Sequence, residues 1–367
     1  MSHQRVVQVR QPITKSAKDL YIDNEYPIPE FSAPPPSQQQ SAVGNTQALI
    51  KVYYAALNRA DIVQRNGMYP PPPGSSPIIG LEVSGIIEKF SNGQETSTDG
   101  QFKVGDYVYC LVEGGAYSEY VIATTSQMFH CNGISLKEAA AIPEAFLTAF
   151  QCFFKIGRLH EKVEGNLNVL IHGGASGVGL ALIQLCKLSG LCKNICVTCG
   201  SDEKGEFCKQ YGATHYVNYK ENPKWSEKLS KILTNDSESG VTPLIDYILD
   251  PIGGNTYLEQ DVQIARLDAT IIGIASMGGT SATIDLGLML RKRIRIQYST
   301  LRNRSPLYKQ QLVQELKDYI KDAFETKKLV ANVDTVFDMD QVIQAHEHME
   351  QNKNSGKIIL KIRGDLE

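Results

Sequence analysis

Residues Val169–His172 form an apolar run that breaks into Gly173-Gly174-Ala175-Ser176-Gly177-Val178-Gly179, and apolar side chains then recur at helical spacing from Leu180 to Leu188. A strand feeding such a turn and then a helix restricts the fold to an α/β unit. Glycines without Cβ atoms let helix and strand pack closely and let backbone approach a pyrophosphate. The unpaired N–H groups at the helix start, with their partial positive charge, hold an anion. Gly174, Ser176, Gly177, Val178 and Gly179 are therefore the expected cofactor-binding residues of the turn. The spacing is GxxGxG rather than GxGxxG, and a purely structural turn is the alternative; the flanking strand and helix favour a dinucleotide.

The pattern continues downstream. Asn168–His172, Asn194–Cys199, Leu244–Leu249, Thr270–Ala275 and Arg293–Tyr298 read as strands interleaved with helix-length segments, which predicts a parallel sheet covered on both faces. In NAD sites the second strand ends in Asp or Glu, which binds the ribose 2′-hydroxyl. Here it ends at Gly200, followed by Ser201 and Lys204, a hydrogen-bond donor and a positive charge suited to a 2′-phosphate. NADPH is the expected cofactor. Asp202 and Glu203 are the counter-evidence, and a merely solvated Lys204 is the plain alternative.

The first 140 residues read as β-rich, with short alternating runs at Arg5–Val9, Ala48–Tyr54, Val83–Lys89, Tyr107–Leu111 and Tyr117–Ile122. After Ser305 come a helix (Lys309–Phe324), a strand-like piece (Val333–Val336), a helix (Met339–Met349) and a last strand, Lys357–Ile362. These are expected to rejoin the first domain. Residues 1–142 and 306–367 then make one domain, and 143–305 a dinucleotide-binding domain inserted in it. Phe31–Asn45 and Gly93–Gln101 are polar and rich in Gly, Pro or Ser, and are expected to be mobile loops without chemistry.

Charge and composition narrow the function classes. Lys and Arg number 37 against 40 Asp and Glu, a net −3, so no overall basic field recruits nucleic acid or anionic lipid. Arg291-Lys292-Arg293-Ile294-Arg295 is a local basic run, read as a solvated strand face beside a helix end; RNA binding is the competing reading, and no nucleic-acid partner is expected. No run of 18 apolar residues occurs, so no membrane insertion is expected. The eight scattered cysteines read as free thiols of a reducing compartment. Cys192, Cys196, Cys199 and Cys208 lack paired CxxC knuckles, and no metal is expected there. The start, MSHQRVVQVRQP, has no apolar secretory core; a cytoplasmic protein is expected, with an uncleaved mitochondrial signal as the alternative.

Several segments in order carry a more specific resemblance: Ala56–Asp61, Gly67–Gly74, Ile79–Gly85, Ile142–Phe150, the glycine turn, Ser299–Arg304 and Glu350–Ile358. With them the chain resembles the medium-chain dehydrogenase/reductase superfamily, in its zinc-free quinone oxidoreductase branch. The tumour-suppressor-inducible quinone oxidoreductases are nearer in pattern than the zeta-crystallin type. The resemblance implies an α/β fold: a doubly wound parallel Rossmann sheet plus a GroES-like β-rich catalytic domain, with a cleft at their junction. It implies that Asn58, Tyr69 and Thr148 lie near the nicotinamide and the acceptor, Ser176 by the pyrophosphate, and Ser201, Lys204 and Tyr219 at the adenosine 2′-phosphate. Each has a plain alternative: Tyr69 caps a rigid proline loop, Thr148 is a buried helix hydroxyl, and Tyr219 is a half-buried strand residue.

Zinc-dependent relatives carry Gly-His-Glu where this chain has Gly80-Leu81-Glu82, and a cysteine ligand near Asn58. Their four-cysteine lobe between about Phe90 and Val112 is reduced to Cys110. Without a Lewis acid, alcohol oxidation loses the group that stabilises an alkoxide, whereas a hydroquinone anion is delocalised and needs less help. Glu82 is then expected to turn toward backbone amides or Arg59. The function expected is NADPH-dependent quinone reduction, with an enone or enal reductase, or a nucleotide- or RNA-binding protein with little turnover, as alternatives. An apolar sheet edge at Arg293–Tyr298 predicts a homodimer, with Ile294, Ile296 and Tyr298 at or near the seam and Arg293 and Arg295 on the other face.

Overall fold

The computed structural model describes residues 3–31, 46–161, 165–236 and 244–364. In chain order the strands and helices up to residue 150 are β1 (His3–Val9), β2 (Leu20–Pro27), β3 (Gln47–Ala56), α1 (Arg59–Arg65), β4 (Glu82–Phe90), β5 (Tyr107–Leu111), β6 (Tyr120–Thr124), β7 (Met128–His130), α2 (Leu136–Ala139) and α3 (Pro143–Phe150). The middle holds β8 (Leu167–His172), α4 (Gly177–Ser189), β9 (Cys192–Cys199), α5 (Asp202–Tyr211), β10 (His215–Asn218), α6 (Trp225–Asn235), β11 (Ile245–Asp250), α7 (Asn255–Ile264), β12 (Ala265–Gly273), α8 (Leu286–Lys292) and β13 (Arg295–Tyr298). The end holds α9 (Pro306–Ile320), β14 (Val333–Asp338), α10 (Val342–Glu350) and β15 (Lys357–Lys361). Two compact units result: Met1–Leu147 with Leu301–Glu367, and Thr148–Thr300. The first division falls inside α3, five residues after the boundary read from sequence, because one helix runs through it.

The unit of both chain ends is built on β3. One side of β3 pairs with β4 along its length; the other pairs with β6 through Gln47–Lys51 and with β15 through Tyr54–Ala56. Strands β14, β15, β3, β4, β5 and β7 follow in that order, and β1 and β2 make a separate antiparallel pair. Val52, Leu57, Val83, Val108, Tyr117, Ile358 and Leu360 are buried in its core. Gly93–Gln101, expected to be mobile, is a hydrogen-bonded loop instead. Ser97 Oγ accepts the Phe102 N–H at 3.0 Å and donates to Asp99 at 2.6 Å. The Phe31–Asn45 segment lies, past Phe31, outside the described residues.

In the other unit six strands run β10-β9-β8-β11-β12-β13, all parallel, as a doubly wound sheet requires. All six residues of β8 are buried, which is why the sequence shows a nearly continuous apolar run there rather than alternation. The last strand is shorter than the sequence reading. Arg293 takes a left-handed conformation (φ 50°) that ends α8, so the strand starts only at Arg295. The basic run is largely spent locally. Lys292 Nζ donates to Val262 O and Gln263 O at the end of α7, Arg293 pairs with Asp268, and Arg295 donates to Thr270 Oγ1.

Candidate functional site

In the doubly wound unit the turn after β8 begins at Gly173 (φ 64°) and closes with Ser176, whose Oγ accepts the Gly179 N–H at 3.1 Å as the cap of α4. A Cβ on Gly174 would stand 2.6 Å from Val197 Cβ, and one on Gly179 would stand 2.5 Å from the oxygens of both Gly173 and Gly174. These two glycines are thus required by packing of the turn against β9 and of the helix start on the turn. Ser176 is exposed, and Gly177 and Val178 are half-buried, at the start of the thirteen-residue helix. The free N–H groups there form the kind of cradle that a pyrophosphate occupies.

The second strand ends beside a stack of aromatic rings. Ser201 caps α5 by accepting the Lys204 N–H, while Asp202 and Glu203 stand exposed in the first turn. A Cβ on Gly200 would come 3.0 Å from the Tyr219 hydroxyl, so Gly200 keeps that hydroxyl close to the strand end. Tyr219 meets Tyr257 edge-on at 6.3 Å, and Tyr257 meets the His172 ring at 4.9 Å. His172, fully buried, bonds Thr198 Oγ1 through Nδ1 and Asp261 Oδ1 through Nε2, each at 2.8 Å. Burial draws the His172 pKa down, but the Asp261 charge and hydrogen bond outweigh it and raise it; burial pushes the Asp261 carboxyl up to about 6. The pair holds its bridging proton in an apolar setting, a rigid support for the rings above it.

In the other unit Asn58 opens α1 and is fully engaged. Its amide donates to Glu82 Oε1 at 2.9 Å and to Ala56 O at 3.3 Å, and its oxygen accepts Lys357 Nζ at 2.7 Å. Both amide hydrogens are therefore spent within the protein. Glu82 is turned toward a backbone amide as expected, accepting the Glu144 N–H at 2.8 Å, but its other oxygen meets Lys357 at 2.6 Å rather than Arg59. Arg59 bonds Met349 O and Asn352 Oδ1 instead. The Lys357 ammonium also donates to Leu57 O at 2.6 Å, so its three donors are all satisfied.

A zinc ion does not fit this arrangement. Leu81 is buried and apolar, and a paired ammonium already contacts both Asn58 and Glu82, where it would repel a divalent cation. Among the described residues no three His, Cys, Asp or Glu side chains group as a metal site.

Tyr69 is half-buried beside Arg302. The guanidinium lies 5.3 Å from the Tyr69 ring centroid, donates to Glu113 O at 2.7 Å, and reaches Tyr69 O at 3.4 Å. Arg302 is 4% exposed, and its Nη2 is buried without a partner. Glu113 also takes Lys309 Nζ and the Ser75 hydroxyl, so this one acid ties the segment after the proline loop to α9. Burial, then the Glu144 charge, raises the Tyr69 phenol pKa, and Arg302 opposes them. Thr148 is buried on α3 and is the first residue of the doubly wound unit.

Sequence reading missed Lys357 and gave Arg302 no role. The signal for Lys357 was a lysine opening an apolar strand, Lys357-Ile358-Ile359-Leu360, just after Gly356.

A parallel sheet with a glycine-rich turn, joined in one chain to a β-domain made from its two ends, is an architecture found in dinucleotide-dependent oxidoreductases. Residues 44–133 match the alcohol dehydrogenase GroES-like domain and residues 177–318 the zinc-binding dehydrogenase family, together more than half of the chain. A zinc-type alcohol dehydrogenase-like protein of Schizosaccharomyces pombe is 28% identical over 86% of this chain and 91% of its own. A quinone oxidoreductase of Lama guanicoe is 26% identical over 92% of this chain and 96% of its own. Among solved structures, a mycobacterial protein complexed with NADPH superposes with a TM-score of 0.78 at 21% identity, covering 98% of this chain and 100% of its own. The apo JamJ enoyl reductase gives 0.76 at 20% identity, covering 99% of this chain and 100% of its own. The chain belongs to the medium-chain dehydrogenase/reductase superfamily, in the quinone oxidoreductase branch, and its cofactor is a nicotinamide dinucleotide.

Proposed function

We propose that this protein is an NADPH-dependent, zinc-independent quinone reductase. The observation that carries the reading is the Lys357 ammonium held by Asn58 and Glu82, a fixed cation at residues matching the metal environment of zinc-dependent relatives. NADPH, when bound, supplies a hydride from its nicotinamide ring. The chain supplies position and polarity. The α4 turn, with Gly174, Ser176, Gly177, Val178 and Gly179, takes the pyrophosphate on backbone N–H groups. Ser201, Lys204 and Tyr219 surround the strand end where a 2′-phosphate lies, and Thr148 offers a hydroxyl to the nicotinamide. Tyr69, whose phenol burial makes still harder to ionise, donates a hydrogen bond to the acceptor oxygen as charge builds there. Asn58 keeps Glu82 and Lys357 in place.

Support for NADPH comes from the non-acidic strand end at Gly200, and from the NADPH with which the mycobacterial neighbour is complexed. A homodimer formed through the edge strand β13 and a cytoplasmic location complete the reading, and no nucleic-acid partner is included; no helix among the described residues is long and apolar enough to cross a membrane. The test is oxidation of NADPH and NADH with 1,2-naphthoquinone, 1,4-benzoquinone and a simple enal. Turnover of quinones with NADPH, undiminished after dialysis against a chelator, is expected. Turnover of the enal alone assigns the protein to enone reduction, and loss of activity with zinc removal overturns the zinc-independent reading.

A further inference from the structure

Four consecutive prolines, Pro70 to Pro73, follow Tyr69 in the loop between α1 and β4. A proline has no backbone N–H, so this stretch has few main-chain donors with which to hold itself in place. Gly67 and Gly74, left-handed at φ 75° and 85°, bound it. Its own hydrogen bonds are local: the Met68 N–H donates to Val63 O and the Ser75 N–H to Pro72 O, each at 3.0 Å. Past Gly74 side chains fasten the chain, with Ser75 Oγ donating to Glu113 Oε2 at 2.7 Å and Gln64 Nε2 to Pro77 O at 3.1 Å. On the Tyr69 side the fastening comes from Arg302.

Arg302 holds Tyr69 by ring and by backbone at once. Its guanidinium lies over the phenol ring, 5.3 Å from the centroid, while Nη1 points at Tyr69 O at 3.4 Å and Nε donates to Glu113 O at 2.7 Å. The planar fork fixes the angle between those donors, so anchoring Nε on Glu113 also sets the plane that the ring lies against. The mount is itself rigid. The Arg304 N–H closes a turn on Leu301 O at 3.0 Å, and the Arg302 side chain within that turn is buried. Gly114 leaves no slack beside it: a Cβ there would stand 2.4 Å from Ser76 O and 3.3 Å from Arg302 Nη2. Nη2 is buried without a partner, so the fold keeps the guanidinium there against a desolvation cost.

We infer that Arg302 is a positioning residue: it fastens Tyr69 and the proline loop onto the Glu113–Gly114 segment, and so sets where the Tyr69 hydroxyl meets the acceptor oxygen. The inference rests on the acceptor-facing role of Tyr69 proposed above. Arg302 then acts on turnover only through Tyr69.

Two measurements on the full-length protein test it. Amide hydrogen exchange needs no turnover: Arg302→Met should speed exchange of the Met68 amide about tenfold or more while the amides of β3 and β4 keep their rates. Steady-state kinetics with a quinone give the second readout. Arg302→Met should lower kcat about five- to thirtyfold with NADPH affinity unchanged, the loss expected of Tyr69→Phe, since the same hydrogen bond is misplaced. Added to Tyr69→Phe, it should change kcat by less than about twofold, because the hydroxyl it positions is already gone. An unchanged Met68 rate, or equal fold losses of kcat with and without the Tyr69 hydroxyl, overturns the inference. Should Arg302→Met fold poorly, Arg302→Lys, which keeps the charge and loses the fork, is read by the same two criteria. A wild type that turns over no quinone rejects the quinone reading, and the Met68 exchange rate still decides whether Arg302 fastens the loop.

Discussion

Lys204 sits in the first turn of α5, four residues after Gly200, and the proposed NADPH preference assigns its charge to the 2′-phosphate. Lys204→Ala should weaken NADPH roughly ten- to a hundredfold, the value of one charge-assisted hydrogen bond at about 1.5–3 kcal/mol, and leave NADH nearly untouched. Fluorescence titration with both cofactors reads this, and equal weakening of the two would remove Lys204 from the 2′-phosphate site. Tyr69→Phe should lower kcat for a quinone about five- to thirtyfold, a neutral hydrogen bond's worth of about 1–2 kcal/mol, with NADPH affinity unchanged. An unaltered kcat would leave Tyr69 as the stiff end of a proline loop. The positions of Gly200 and Ser201, just past the end of β9 and before α5, were readable because an apolar run giving way to glycine and polar residues is a local pattern. Lys357 was not, because the Asn58 and Glu82 that define it lie some 300 and 275 residues away in the chain. Arg302 hid for the same reason, its contacts to Glu113 and Tyr69 spanning 189 and 233 residues.

The helices and strands of the doubly wound unit were legible because strands covered on both faces keep unbroken apolar runs between glycine turns. Strand β2 was not. Its Asp23, Asn24 and Glu25 look like a loop, and it is a strand because β1 offers it a partner. Packing at the turn gives an element-level prediction: Gly174→Ala places a methyl 2.6 Å from Val197 Cβ and should cost about 1–3 kcal/mol of stability, read as a lower urea midpoint. No change would mean that the turn moves freely against β9. Helix α10 gives another. His346 accepts a hydrogen bond from Arg65 Nη1 at 3.3 Å, and burial together with the Arg65 charge lowers its pKa to about 3. The unfolded chain takes up that proton near pH 6.5, so between about 6.5 and 3 it binds more protons and stability falls with acidification, by up to about 1.4 kcal/mol per pH unit. Asp61, pushed up to about 6 by burial, has the opposite sign between about 4 and 6. Only a comparison isolates the histidine. Unfolding of wild type and His346→Gln at pH 7 and pH 5 should show the variant losing less stability on acidification; an identical loss would show that His346 does not stay neutral in the fold.

At the scale of the whole molecule, the six-stranded sheet ends on β13 with its outer edge unpaired among the described residues. Open edges of this kind are covered, charged or paired. The expected seam shifts in one respect. Ile294 and Ile296 are half-buried against their own unit's core, with the side chains of α7 and α8, so only part of each is open to a second copy. Tyr298 does remain 54% exposed, and α8, which precedes the strand, presents Leu286 and Leu290 at 71% and 79% exposed. Apolar side chains that open beside an unpaired edge suit a two-fold contact in which β13 meets its own copy antiparallel and the leucines meet across the axis. Arg293 is paired with Asp268, whereas Arg295, held by the neutral Thr270 hydroxyl, keeps its positive charge at that edge. Light scattering should therefore give twice the 40.6 kDa chain mass. Leu290→Asp, on the surface and outside the core, should shift the protein toward the single-chain mass while its melting profile stays cooperative. A wild-type mass of one chain rejects the homodimer, and a dimer undisturbed by Leu290→Asp and by Tyr298→Asp places the seam on another face.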